Sequence, residues 1–292
     1  MVFNFLKKEI KAFLEQRHPA LYLRLIYYRT TGNLLHLNNP ITFNEKIQWL
    51  KLYNYPSNKL VVKCTDKYRI NEYLKDKNLE GINAKLLGCW DRFDEIDFEF
   101  LPNKFLLKTN NASGTNFFCE DKNKLEIDFL KQRFNKWLEI DYGKFTLERH
   151  YSEIIPKIIA EEYLWFSDEN FEYNFYCFNG VVRFCKVVSF DDKELKSGKG
   201  RCYDIDWLEL PFDYDERKLV EVNIPPQYDY MLEVCEHIAK DFDFVRIDFF
   251  QCIDKVVLGE LTFSPASGFA TTFNSFAQKK MGDWLKLSRA EI

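Results

Sequence analysis

The stretches Phe244-Val-Arg-Ile-Asp-Phe-Phe250 and Val256-Val-Leu-Gly-Glu-Leu-Thr-Phe263, separated by a short turn, read as two apolar strands carrying charges at alternate positions. Side chains two apart on a strand share a face, so Arg246 and Asp248 point the same way, and so do Leu258, Glu260 and Thr262. A hairpin folded about Asp254 sets Asp248 opposite Glu260 and Arg246 opposite Thr262. Carboxylates facing each other across a ladder repel. Two arrangements answer that repulsion. One is a hard cation with oxygen ligands, for which Mg²⁺ on one or two carboxylates plus phosphates is the usual form. The other is an exposed pair beside Arg246 with no metal, and a slip of one residue in register would remove the pairing altogether.

Outward from this hairpin, strands are predicted at 104–109, 116–119, 157–164, 173–178 and 181–189, with Asn179-Gly180 as a two-residue hairpin turn. Thr42-Phe-Asn-Glu45 has the form of a capping box and opens a helix through Tyr53. Further helices are expected over 66–77, 128–140 and 230–241. Mixed helices and hairpins indicate an α+β chain with a largely antiparallel sheet. The loop Leu107-Lys-Thr-Asn-Asn-Ala-Ser-Gly-Thr-Asn116 is rich in small and amide residues whose N–H groups can surround phosphate oxygens, with Lys108 at its base. It is equally an ordinary hairpin loop, and it lacks the Gly-Lys-Ser/Thr of a Walker loop. Ile158-Ile-Ala-Glu-Glu-Tyr-Leu164 offers a strand end against which a purine can lie, or simply an edge reaching solvent.

The chain has 292 residues, 41 Lys+Arg against 45 Asp+Glu, and a net charge of −4. A basic excess of the kind nucleic-acid binders carry is missing, so no nucleic-acid partner is expected. With 46% hydrophobic and 17% aromatic residues, 28 of them Phe, the chain is no disordered segment. No run approaches the 18 apolar residues of a bilayer span. The start, Met1 to Ile10, lacks the form of a secretory signal. Eight cysteines without Cys-x-x-Cys, and only four histidines, argue against structural zinc and for reduced, buried thiols in a cytoplasmic protein. Residues 1–31 are locally basic and apolar at helical spacing, with Pro19 dividing two helices. Either they pack on the main body, or they make a peripheral contact with an anionic membrane surface or a membrane-bound partner.

Taken in order, several segments resemble the TupA-like branch of the ATP-grasp superfamily, found in surface-polymer biosynthesis. They are Thr42-Phe-Asn-Glu-Lys-Ile-Gln-Trp-Leu-Lys51, Asp66-Lys-Tyr-Arg69, Leu87-Gly-Cys-Trp-Asp91, Phe105-Leu-Leu-Lys108 and Asn111-Ala-Ser-Gly114. Ile158-Ile-Ala-Glu161, Cys177-Phe-Asn-Gly180, Val245-Arg-Ile-Asp-Phe249 and Gly259-Glu-Leu-Thr-Phe263 continue the series to about residue 287. The resemblance implies an ATP-grasp fold, with two α+β subdomains clasping ATP. It divides the chain into an N-terminal helical extension (1–39), a helical substrate-side region (40–104) and an ATP-grasp domain (105–292). Within that domain a lid is expected over about 105–165 and a catalytic subdomain over about 166–287.

By the same resemblance Lys67 and Lys108 contact phosphates, and Ser113 and Gly114 lie in the mobile phosphate loop. Glu161, Tyr163 and Leu164 form the adenine hinge, while Asp248, Glu260 and Thr262 hold Mg²⁺. Arg246 steadies the acyl-phosphate or its tetrahedral successor. Thr262 stands where the superfamily commonly has Asn, and the phosphate loop has two fewer glycines than its relatives.

The activity implied is an ATP- and Mg²⁺-dependent carboxylate–amine ligase acting through an acyl-phosphate. An amino acid joined to a uronic acid of a capsular, O-antigen or teichuronic-type polymer is the specific expectation. The alternatives are a sugar or glycan kinase of the same fold, a nucleotide-sugar glycosyltransferase with a Rossmann-like parallel sheet, and a silent binding module. Trp90, Trp165 and Trp207 are candidates to line a sugar site, or else core or lid residues.

Overall fold

Among the described residues, ten strands form two sheets in the computed structural model, which covers 11–164, 171–190, 197–213, 221–253 and 255–288. Residues 1–10, Trp165 and Asp254, about which the hairpin is expected to fold, therefore lie outside the described residues. The smaller sheet comprises β1 (Leu86–Trp90), β2 (Phe105–Thr109), β3 (Asn116–Cys119) and β4 (Ile158–Glu162), in the order β1-β4-β2-β3. The larger comprises β5 (Phe171–Phe178), β6 (Val181–Phe190), β7 (Ser197–Tyr203), β8 (Glu209–Leu210), β9 (Phe244–Gln251) and β10 (Val256–Thr262), ordered β10-β9-β5-β6-β7-β8. Every pairing within both sheets is antiparallel. This is the expected α+β architecture, and the parallel sheet of the glycosyltransferase alternative is not what these strands form.

Alternation along the large sheet determines what covers each face. Phe175 and Phe249 point to one side, where Tyr228 on the helix Tyr228–Ala239 packs against Phe175. Met231, Val234, Cys235 and Ile238 on that helix are buried with them. Tyr176, Phe178 and Phe244 point to the other side, and Phe43 meets all three edge-on at 5.0–6.4 Å. Phe43 opens the helix Phe43–Tyr53, whose start is the predicted capping box. Glu45 N–H donates to Thr42 Oγ1 at 3.3 Å and Thr42 N–H to Glu45 Oε2 at 2.9 Å. The small sheet has its own core, where Leu130 and Phe134 of the helix Ile127–Leu138 meet Phe93, Phe105 and Leu107.

One expected boundary needs correction, and two elements appear that the local pattern does not predict. The helix expected over 66–77 begins only at Ile70, because Asp66 caps the end of the helix Lys59–Thr65 and its carboxylate accepts from Tyr68 N–H and Arg69 N–H. Strand β1 belongs to the small sheet, so that sheet starts at Leu86, inside the 40–104 region. All five β1 residues are half-buried, which leaves no alternation to read. The helix Ser275–Trp284 is the second such element, and its Trp284 packs against Phe178 and Phe184. Asn179 and Gly180 adopt the predicted turn, both with positive φ. All eight cysteines are free, and seven are buried. No described helix is long and apolar enough to cross a membrane.

Gly282 lies where the Ser275–Trp284 helix crosses the chain ahead of the capping box. A Cβ there would fall 2.0 Å from the Ile41 carbonyl oxygen. Lys46 Nζ donates to the carbonyls of Gly282 and Leu285, fixing the same crossing. Gly282→Ala should therefore destabilise the protein by about 2–3 kcal/mol through overpacking. Chemical denaturation would show this as a lower midpoint at unchanged slope.

Candidate active site

The hairpin pairs Asp248 with Glu260 and Arg246 with Thr262, by a route other than the symmetric turn. Nearer the turn Val256 faces Gln251 and Leu258 faces Phe249, and the register then shifts between Leu258 and Glu260. The extra residue is Gly259, where a Cβ would fall 2.5 Å from the Phe250 ring. A bulge re-aims the residues beyond it. Leu258 consequently joins Phe249 in the core, 2% exposed, and does not share the face of Glu260 and Thr262. The sequence expectation for Leu258 is corrected on this point.

Asp248 is fully buried, and Arg246 grips it with two parallel bonds, Nε–Oδ1 at 2.7 Å and Nη2–Oδ2 at 2.5 Å. The Thr262 hydroxyl lies 3.2 Å from Asp248 Oδ2 and 2.8 Å from Glu260 Oε1, and it also accepts from Arg246 Nη2 at 3.1 Å. Glu260 Oε1 is 3.5 Å from Arg246 Nη2.

Strand β5 adds two residues the sequence reading missed. Asn174 pairs with Asp248 across the ladder. Its amide, oriented with nitrogen toward the acids, donates to Asp248 Oδ1 at 2.6 Å and Glu172 Oε1 at 3.2 Å. The signal was present, since Glu172 and Asn174 are polar residues two apart on a strand whose other face is Tyr173 and Phe175.

Three carboxylates thus surround one guanidinium. Burial, then the neighbouring Asp248 charge, pushes Glu172 up to about 8. Asp248 is raised to about 6, burial outweighing Arg246. Burial also works against the Glu260 carboxylate, yet Lys67, Arg246 and the Thr262 hydrogen bond together hold it below the usual range.

A cleft of about 280 Å³ separates this face from the small sheet, and Lys67, Lys108, Glu161, Leu164, Glu172 and Glu260 all line it. Lys108 and Glu161 form a largely buried ion pair at 2.6 Å. Lys67 is aimed by the Asp66 turn. Asn110 Nδ2 donates to Asp66, Lys67 N–H donates to the Asn110 carbonyl, and Lys67 Nζ donates to Ala112 O at 2.6 Å. Burial lowers the Lys67 ammonium, and Glu260 acts against that shift.

The remaining expected residues sit apart from the cleft wall. Ser113 and Gly114 form the exposed tip of a loop whose base, Asn110 to Ala112 and Thr115, is buried. Tyr163 packs on Phe118 and beneath Lys104. Trp90 packs against the small-sheet core, and Trp207 stacks on Tyr203.

Beyond β10 the backbone turns left-handed at Ala266, Ser267 and Gly268. Non-glycine residues in that region are strained and need external support. Lys51, wholly buried, donates from Nζ to Ser267 O at 2.7 Å, and Gln48 Nε2 reaches Ser267 O and Gly268 O. Buried Glu148 accepts from the hydroxyls of Ser264 and Ser267.

The donors on the Asp248 face are all oxygens, with negative charge in excess, which suits a hard divalent cation sharing phosphate ligands. Among the described residues no three His, Cys, Asp or Glu side chains group closely enough to form a metal site on their own. Among the described residues, Asp248, Glu260 and the Thr262 hydroxyl, joined by hydrogen bonds, could hold Mg²⁺ together with ligand oxygens from outside the protein.

A family model for TupA-like ATP-grasp proteins matches residues 45–286, and the chain belongs to that family. No curated protein matches it in sequence. Among solved structures, an L-amino acid ligase from Bacillus licheniformis is similar at 12% identity and a TM-score of 0.51, covering 87% of this chain and 57% of the ligase. A D-alanine–D-alanine ligase from Helicobacter pylori is similar at 15% identity and a TM-score of 0.47, covering 83% and 69%. One from Bacillus anthracis is similar at 16% identity and a TM-score of 0.45, covering 76% and 65%. The chain thus spans 57% to 69% of the length of these structures. The likeness to the first of them is one of fold.

Removing Arg246 strips a fully buried carboxylate of its partner. Arg246→Ala should cost about 3–5 kcal/mol of stability, far more than a surface ion pair. Lys51 supplies a pH signature. Burial lowers its pKa from 10.5 to about 8, with the Glu148 charge opposing the shift. Between those values the unfolded chain binds a proton that the folded chain has lost, so stability should rise with pH. Against Lys51→Met, wild type should gain no more than about 3 kcal/mol across that window in denaturant titrations.

Proposed function

We propose that this chain is an ATP- and Mg²⁺-dependent carboxylate–amine ligase. The observation that carries the reading is the convergence on one cleft of Glu260, beside buried Asp248 and Arg246, with the lysines Lys67 and Lys108. Phosphoryl transfer asks a protein mainly for positioning and charge neutralisation. Lys67 and Lys108 hold phosphate oxygens, while Glu161 and Leu164 border the base. Bound Mg²⁺ supplies charge neutralisation at the transferring phosphate, with Asp248, Glu260 and Thr262 as its protein ligands.

A substrate carboxylate oxygen attacks the γ-phosphorus, and the bond to the β-phosphate oxygen breaks, giving ADP and an acyl-phosphate. An amine then attacks the acyl carbon, phosphate departs with the C–O bonding electrons, and the amine proton passes to phosphate or solvent. Arg246, held rigid by Asp248, faces the oxyanion of that second step. In this reading the loop that carries Ser113 and Gly114 closes over the phosphates and excludes water. The family assignment supports a carboxylate and an amine drawn from surface-polysaccharide biosynthesis, an amino acid and a uronic acid in particular.

Mg·ATP at 100 times its dissociation constant stabilises a protein by about 2.7 kcal/mol. At roughly 2–4 °C per kcal/mol, that raises the melting midpoint by several degrees. The shift should require Mg²⁺ and vanish in Asp248→Asn and Glu260→Gln. ADP release should then depend on both an acid and an amine; release with the acid alone, at full rate, would mark a kinase instead.

A further inference from the structure

The helix Pro19–Thr31 is anchored by one face and presents a different kind of surface on the other. Tyr22, Leu23 and Tyr27 are buried, and Tyr27 packs against Phe269, just beyond the left-handed turn. Ala20 and Ile26 pack against the core beside them. On the opposite side Leu21, Leu25 and Tyr28 are 47%, 53% and 59% exposed. Spacings of four and three residues place them in one stripe along the helix.

At about 100° per residue, Arg24 falls on one flank of that stripe and Arg29 on the other. Among the described residues neither arginine makes an ion pair, and both are exposed. Phe13, 57% exposed, lies against His18 at the helix start and extends the apolar surface. Residues 11–31 carry four basic side chains against the single carboxylate of Glu15, in a chain whose net charge is −4.

We infer that this face docks in the plane of an anionic lipid surface. An apolar stripe flanked by arginines suits the boundary between acyl chains and headgroups. There Leu21, Leu25 and Tyr28 enter the apolar layer while Arg24 and Arg29 meet lipid phosphates. A protein partner would also cover apolar side chains. Exposed arginines on both flanks of a basic pole, on an otherwise acidic molecule, complement a continuous negative surface. The inference is independent of the ligase reading, because none of these residues lines the cleft.

The test is co-sedimentation of the intact chain with phosphatidylcholine vesicles and with vesicles that also contain phosphatidylglycerol. Binding should appear only with the anionic lipid and weaken as salt is raised. Replacing both arginines (Arg24→Gln with Arg29→Gln) should lower the partition coefficient roughly thirtyfold. Leu21→Asp with Leu25→Asp should abolish binding. Both pairs are exposed, so melting temperature and any Mg·ATP shift should stay at wild-type values, which keeps failure here distinct from failure at the cleft. No anionic-lipid binding at low salt, equal binding to neutral vesicles, or binding indifferent to either pair would overturn the inference. So would a homodimer in solution that the leucine variants dissociate.

Discussion

Asp248 is an ionisable group with no exposed surface, and the bidentate grip of Arg246 is what makes its charge tolerable there. Removing both charges from water is costly, and their attraction offsets that cost only in good geometry with the remaining lone pairs satisfied. Thr262 and Asn174 supply those remaining bonds. The pair therefore requires three strands, β5, β9 and β10, in one register. That requirement ties the Gly259 bulge, the β5–β9 ladder and the composition of the sheet face to a single point.

The same face changes character along its strands. Phe244 and Phe178 lie under Phe43, followed by Arg246 beside Tyr176, and then Asp248 beside Asn174. The aromatic end anchors the helix Phe43–Tyr53, and the polar end opens toward the cleft. From that helix Lys51 and Gln48 reach the left-handed turn after β10. One helix thus seals the core and braces the segment that leaves the site. Across the cleft, Lys67 and Glu260 shift each other's protonation in the direction of charge, so the two walls are coupled electrostatically.

Much of this was readable from local pattern. The capping box at Thr42 and Glu45, the Asn179-Gly180 turn and the apolar alternation of β9 depend on neighbours close in sequence. β1 was not readable, because an evenly half-buried strand shows no period. The helix at 275–284 is capped by Asn274, which accepts from Ala277 N–H, but its apolar contacts are with residues distant in sequence. The early start assigned to the helix at Ile70 reflects a tertiary override. Asp66 is taken up by Asn110, far away in sequence, and the turn it makes aims Lys67.

The sequence by itself determined an α+β chain of antiparallel strands, the placing of Asp248 and Glu260 on the two strands of one hairpin, and the identity of the charged residues. These follow from the two-residue period of strands and from pair repulsion that demands compensation. Only the tertiary structure decided that Gly259 bulges and sends Leu258 into the core. Only it showed that Glu172 and Asn174 join the carboxylates, and that Lys67 and Glu260 line one cleft. Each of those facts depends on what lies across a ladder or a cleft, and burial there sets the electrostatics of the site.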